Sequence, residues 1–143
     1  MLTTLLGQSR TDSVRDVVLL ACRVLLGAVL IAHGLQKLDN GHAATAAGFD
    51  AMGVPAPDLA AGLAIAVELG GGALLILGLL APLAGICVAL TMAGAFWYVH
   101  QEAGLFAGDG GWELVGVIGV AALALGLVPG RLSVDHLLVR RAG

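Results

Sequence analysis

Residues 23–37 read RVLLGAVLIAHGLQK, an apolar run that opens on an arginine and closes on a histidine and a lysine. At 100° per residue, Arg23, Gly27, Leu30, Gly34 and Lys37 fall in one narrow fan with His33 on its flank, while the remaining positions are mostly valine, leucine, isoleucine and alanine. The spacing predicts a helix with one small, charged side. A charge at membrane depth costs about 2.5–3.5 kcal/mol on insertion scales, so that side is expected to face protein and the other side lipid. Glu68 and Glu113, each in or beside another apolar run, are the expected partners.

The composition around this helix belongs to an integral membrane protein. Of 143 residues, 59% are hydrophobic and 12% charged, and the mean hydropathy is +0.97, outside the range of soluble domains. The expected fold is all-α, an integral membrane four-helix bundle with spans near residues 17–38, 59–80, 83–100 and 112–128. Together they form a transmembrane domain over 17–130, between a polar cytoplasmic leader (1–16) and a short basic cytoplasmic tail (131–143). The spans leave no length for a separate soluble catalytic domain. A cleaved secretory signal is the competing reading of the N-terminus, but its apolar region would run about 7–15 residues, and this one continues from Val17 to Gln36. The net charge is −3 and no basic stripe is interleaved with aromatics, which sets nucleic acid aside.

Turn signals separate the spans. Asp39, Asn40 and Gly41 close the first, HAATAAGFDAMG (42–53) is expected to form a short amphipathic or re-entrant piece, and Pro55 and Pro57 enforce an extended segment with Asp58 placed to cap the next helix. Ala81-Pro82 turns the chain into the third span and Pro129-Gly130 stops the fourth. Arg10, Arg15, Arg131, Arg140 and Arg141 lie outside the first and fourth spans, whereas the loop joining spans three and four has no lysine or arginine. Both termini are therefore expected in the cytoplasm, with the chain multi-pass in the plasma (inner) membrane. His33, Lys37, His100 and Glu113 then lie towards the outer surface, Arg23 towards the inner one and Glu68 between.

Heights along the spans suggest pairings. At about 1.5 Å per residue, Arg23 stands roughly 9 Å, and Glu68 roughly 18 Å, above the inner ends of their spans. Arg23 would have to reach upward to meet Glu68, and Lys37 or His33 with Glu113 is better matched in level. Such pairs either lock the register of the bundle or mark a ligand or proton site, and the residues leave both readings open. Cys22 and Cys87 read as packing residues, with no CxxC. His33 and His100 lack the tight spacing of metal ligands, so no metal is expected.

The stretches RVLLGAVLIAHGLQKL (23–38), GFDAMGVPAP (48–57), VELGGGALLILGLLAPLAG (67–85), TMAGAFWYVH (91–100), GDGGWELVGVIG (108–119) and PGRLSVD (129–135) together resemble the DoxX family of small bacterial and archaeal membrane proteins. The resemblance implies a four-helix membrane protein, in agreement with the hydropathy. The family takes its name from a subunit associated with thiosulfate:quinone oxidoreductase, and other members are linked to redox or thiol stress. Arg23, His33, Lys37, Glu68, His100 and Glu113 match the family's polar pattern and are the candidate ligand-binding or proton-relay residues; no catalytic residue is assigned. The chain carries no iron–sulfur, flavin or nicotinamide motif, so redox chemistry would need a bound quinone or a partner subunit. The expectation is a redox-associated subunit with a polar pocket inside the bundle. The alternatives are a non-enzymatic scaffold that docks a soluble or membrane partner, and a small-molecule or lipid transporter built as a homo-oligomer.

Overall fold

The computed structural model describes residues 2–142, with side chains for residues 12–141. The first and last residues of the expected leader and tail, and the side chain of Arg10, lie outside the described residues. Among the described residues all regular structure is helical. Helix α1 runs Leu2–Asn40 without a break and ends at Gly41, whose φ of 91° opens the left-handed region that stops a helix. Helix α2, His42–Ala51, is the short piece expected after the first span. The second span is α3 (Pro57–Ala66), a π-helical turn (Val67–Gly71) and α4 (Gly72–Leu77) in continuous succession. The third is α5 (Ala81–Ala95), prolonged by a second π-helical turn, Phe96–His100. Helix α6 covers Glu113–Leu127 and α7 covers Val134–Ala142.

Three of these stretches, Asp12–Asn40, Pro57–Leu77 and Ala81–His100, are long and apolar enough to cross a membrane. Glu113–Leu127 is apolar but shorter, and its 15 residues extend about 22 Å against a hydrocarbon core of about 30 Å. The protein is a helical membrane bundle. Two sequence expectations shift at the helix ends. The second span stops at Leu77, because Gly78 takes φ 63° there, and α5 begins at Ala81 with Pro82 in its first turn. Asp58 does not cap α3. Pro57 fixes the helical φ one residue earlier, so Asp58 falls inside the first turn and the cap position belongs to Ala56.

Close packing rests on small residues at two crossings. A Cβ added to Gly27 would lie 2.5 Å from the carbonyl oxygen of Gly72, and one added to Gly72 would lie 2.8 Å from that of Gly27. Gly85 and Gly126 make the same approach between α5 and α6, where an added Cβ would meet the carbonyls of Ala122 and Ala81 at 2.5 and 2.6 Å. In lipid no hydrophobic force draws helices together, so backbone approach and van der Waals contact must do it. Leu30, Leu75, Val88, Ile118 and Ala122 fill the centre between the crossings. The large apolar residues Leu25, Leu90, Val117 and Val120 stay exposed on the outside, where acyl chains would cover them.

Candidate functional site

Helices α1 and α3–α4 run antiparallel, and side chains of a helix lean towards its N-terminus. Lys37, near the C-terminal end of α1, therefore leans back into the bundle, while Glu68 on the second span leans out to meet it. Counted from the Gly27/Gly72 crossing, their Cα atoms differ in height by about 9 Å, a gap that one lysine and one glutamate side chain leaning together can close. Lys37 Nζ donates to both Glu68 oxygens at 2.7 Å. Glu68 is 4% exposed.

The same lean undoes the pairings expected from height alone. Arg23 points towards the end of the bundle that holds the chain termini, away from Glu68. There Nη2 donates to the carbonyl of Leu132, and the guanidinium lies against Gly78 and Ser133. Arg23 is fully buried, and its Nε and Nη1 have no hydrogen-bond partner among the described residues. Glu113 opens α6 and leans outward past the helix start, where Oε1 accepts the backbone N–H of Ala107 at 2.8 Å. It ties down the 101–112 loop and meets neither Lys37 nor His33. Of the six candidates, four come together: His33, Lys37, Glu68 and His100 line one cavity of about 540 Å³ in the half of the bundle away from the termini.

That volume lies within the range of small-molecule sites. Its wall is mostly apolar, with Phe49 and Met52 supplied by α2 and the segment after it. Both π-helical turns border it: the first carries Glu68, the second Tyr98 and His100. Wide turns of this kind interrupt the regular ladder and recur at functional sites. His100 Nδ1 donates to the Gly110 carbonyl at 2.6 Å, which leaves Nε2 as an acceptor in the neutral ring. His33, one turn before Lys37, and the Tyr98 hydroxyl have no protein hydrogen-bond partner among the described residues, and Lys37 has a third N–H beyond the two given to Glu68. Tyr98 is a lining residue that no motif in the sequence singles out, and the π turn that carries it, Phe96–His100, has no local signal in FWYVH.

Other reactive groups stand apart. Cys22 and Cys87 are free thiols. No group of three or more histidine, cysteine or acidic side chains is gathered for a metal among the described residues. Asp16 and Asp12 hold Arg131 at the terminal end, with Asp16 Oδ1 accepting the Arg131 backbone N–H at 3.0 Å and Asp12 Oδ2 meeting Nη2 at 3.0 Å. Asp135 takes the N–H groups of Leu80 and Ala81, both at 2.9 Å, and so caps α5 from the far side of the sequence.

The family model of DoxX matches residues 18–101, more than half of the chain and the stretch from the first span to just past His100. The chain belongs to the DoxX family. It is 30% identical over 131 residues to an uncharacterised membrane protein of Mycobacterium tuberculosis, an overlap covering 84% of this chain and 80% of that one. No solved structure matches. In this DoxX chain the Lys37–Glu68 pair, both π turns and almost the whole cavity wall on the first three spans fall inside the matched region, while the Glu113 and Asp135 contacts fall beyond it.

Proposed function

We propose that the cavity receives the oxygen-bearing ring of a small, uncharged, membrane-soluble molecule of the quinone type, and that the chain acts as a membrane subunit associated with redox chemistry. The observation that carries this reading is a set of unspent polar groups on residues that line an otherwise apolar cavity: the third N–H of Lys37, the Tyr98 hydroxyl, the His33 ring and Nε2 of His100. The Lys37–Glu68 pair cancels its own charge, which favours a neutral ligand. A ring with carbonyl or hydroxyl oxygens meets both donors and acceptors there, and its apolar body fits against Leu30, Met92 and Ile118. A quinone, when bound, would supply two-electron, two-proton chemistry. The residues of the chain would orient its oxygens, with Lys37 donating to one and a histidine accepting from the reduced form.

In this reading both termini lie in the cytoplasm and the cavity in the outer half of the plasma membrane, supported by Arg15, Arg131, Arg140 and Arg141 at the terminal end. The experiment is thermal unfolding of the purified protein in nanodiscs with a short-chain naphthoquinone. A saturable rise of a few degrees is expected, with Tyr98→Phe and His33→Leu keeping the ligand-free unfolding temperature but losing most of the rise. No retained quinone and no rise would reject the reading.

A scaffold that docks a partner is the second reading. It is favoured by one feature, the closed Lys37–Glu68 pair, in which both carboxylate oxygens are already satisfied within the protein. A scaffold responds to Glu68→Ala only by losing folded protein, and Tyr98→Phe then changes nothing.

A further inference from the structure

Helix α7 is fixed to the bundle at one end and uncovered at the other. Its first turn is held by Asp135, whose N–H donates to the Gly78 carbonyl at 2.9 Å while its carboxylate caps α5, and by Ser133, which accepts the His136 N–H at 3.3 Å. These bonds join α7 to the turn between the second and third spans, so its height is set at the membrane boundary. Beyond that turn the chain leaves it bare. Leu137, Leu138 and Val139 are 55%, 52% and 73% exposed. At 100° per residue Val134, Leu137, Leu138 and Arg141 share one stripe about 100° wide, with Arg140 flanking its Leu137 edge and Asp135, engaged with the start of α5, flanking its Leu138 edge.

The charges on this end are unequal. Arg131 is taken by Asp12 and Asp16. Arg140 and Arg141 are exposed and have no carboxylate partner among the described residues, and Arg15 meets only Asp16, at 3.9 Å. A leucine-bearing stripe at the level where the spans end, with unpaired arginines along and beside it, has the chemistry of a helix lying in a bilayer interface. There the apolar side chains sink to the acyl boundary and the guanidinium groups reach the headgroups.

We infer that α7 is an interfacial anchor that binds anionic phospholipid headgroups of the leaflet at the terminal end, through Arg140 and Arg141, with Leu137 and Leu138 inserted beside them. The inference is independent of what fills the cavity. Two arginines near a charged leaflet favour it over a neutral one by roughly thirtyfold, and guanidinium forks bind phosphate in two-point fashion.

The test uses the full chain in nanodiscs of phosphatidylcholine alone or with one third phosphatidylglycerol. Amide exchange of α7 is expected to slow on adding phosphatidylglycerol, and native mass spectra are expected to retain that lipid on the protein. Arg140→Gln/Arg141→Gln should abolish both effects and leave the unfolding temperature in phosphatidylcholine unchanged, and 0.5 M salt, a test condition of about a 4 Å screening length, should weaken them. Leu137→Ser/Leu138→Ser should weaken them while keeping both charges. Equal exchange in the two lipids overturns the inference. So does protection reproduced by inorganic phosphate in phosphatidylcholine, or a two-chain species without retained lipid, which would assign the stripe to a second copy.

Discussion

Gly27 and Gly72 touch backbone to backbone, and their contact sets the height at which every other residue of the first two spans can meet. With the carbonyl of each lying within 2.8 Å of where a side chain of the other would begin, neither position has room for a methyl group. Gly27→Val is expected to overpack the crossing and cost about 2–3 kcal/mol, measured as a lower unfolding temperature in detergent. Gly48→Ala, in α2, has nothing within 4 Å of the new Cβ and should leave stability unchanged or raise it by up to about 1 kcal/mol. Equal losses at both would mean that the crossing is not tight.

Removing one member of the Lys37–Glu68 pair should hurt more than removing both. Glu68→Leu strands an ammonium against an apolar wall, at an expected cost of about 2–4 kcal/mol, tempered by the 24% exposure of the lysine side chain. Lys37→Met/Glu68→Leu leaves no charge behind and is expected to recover most of that loss. A thermal-unfolding double-mutant cycle checks this, and additive losses would show that the two side chains do not interact.

Asp135 stabilises a helix more than fifty residues earlier in the chain. Asp135→Ala removes the acceptor for the Leu80 and Ala81 N–H groups and is expected to cost about 1–2 kcal/mol. Hydrogen exchange should accelerate at those two amides and at the start of α5, while exchange near His33 and Lys37 stays as before. Acceleration throughout the bundle would instead indicate general unfolding.

Filling the cavity separates binding from folding. Ala95 lines the cavity at the end of α5, and Ala95→Phe places a ring in its space. The variant is expected to fold with unchanged or higher unfolding temperature and to lose the rise given by a short-chain naphthoquinone. Retained response to that quinone would place its site elsewhere.

The apolar runs, the glycine and proline turn signals and the polar fan on the first helix made the all-helical membrane bundle legible, because hydrocarbon demands about 20 apolar residues per crossing and satisfied backbone bonds in each. They also brought out His33, Lys37, Glu68 and His100, since ionisable residues are costly at that depth and stand out against leucine and alanine. Which of them meet was not legible. Height along a helix can be counted from sequence, but the direction in which a side chain leans relative to its neighbour depends on which helices pack antiparallel and where they cross. That is why Lys37 meets Glu68, Arg23 turns to Leu132 and Glu113 turns to Ala107. The cap supplied by Asp135 likewise exists only in the assembled bundle, because it joins segments more than fifty residues apart in the chain.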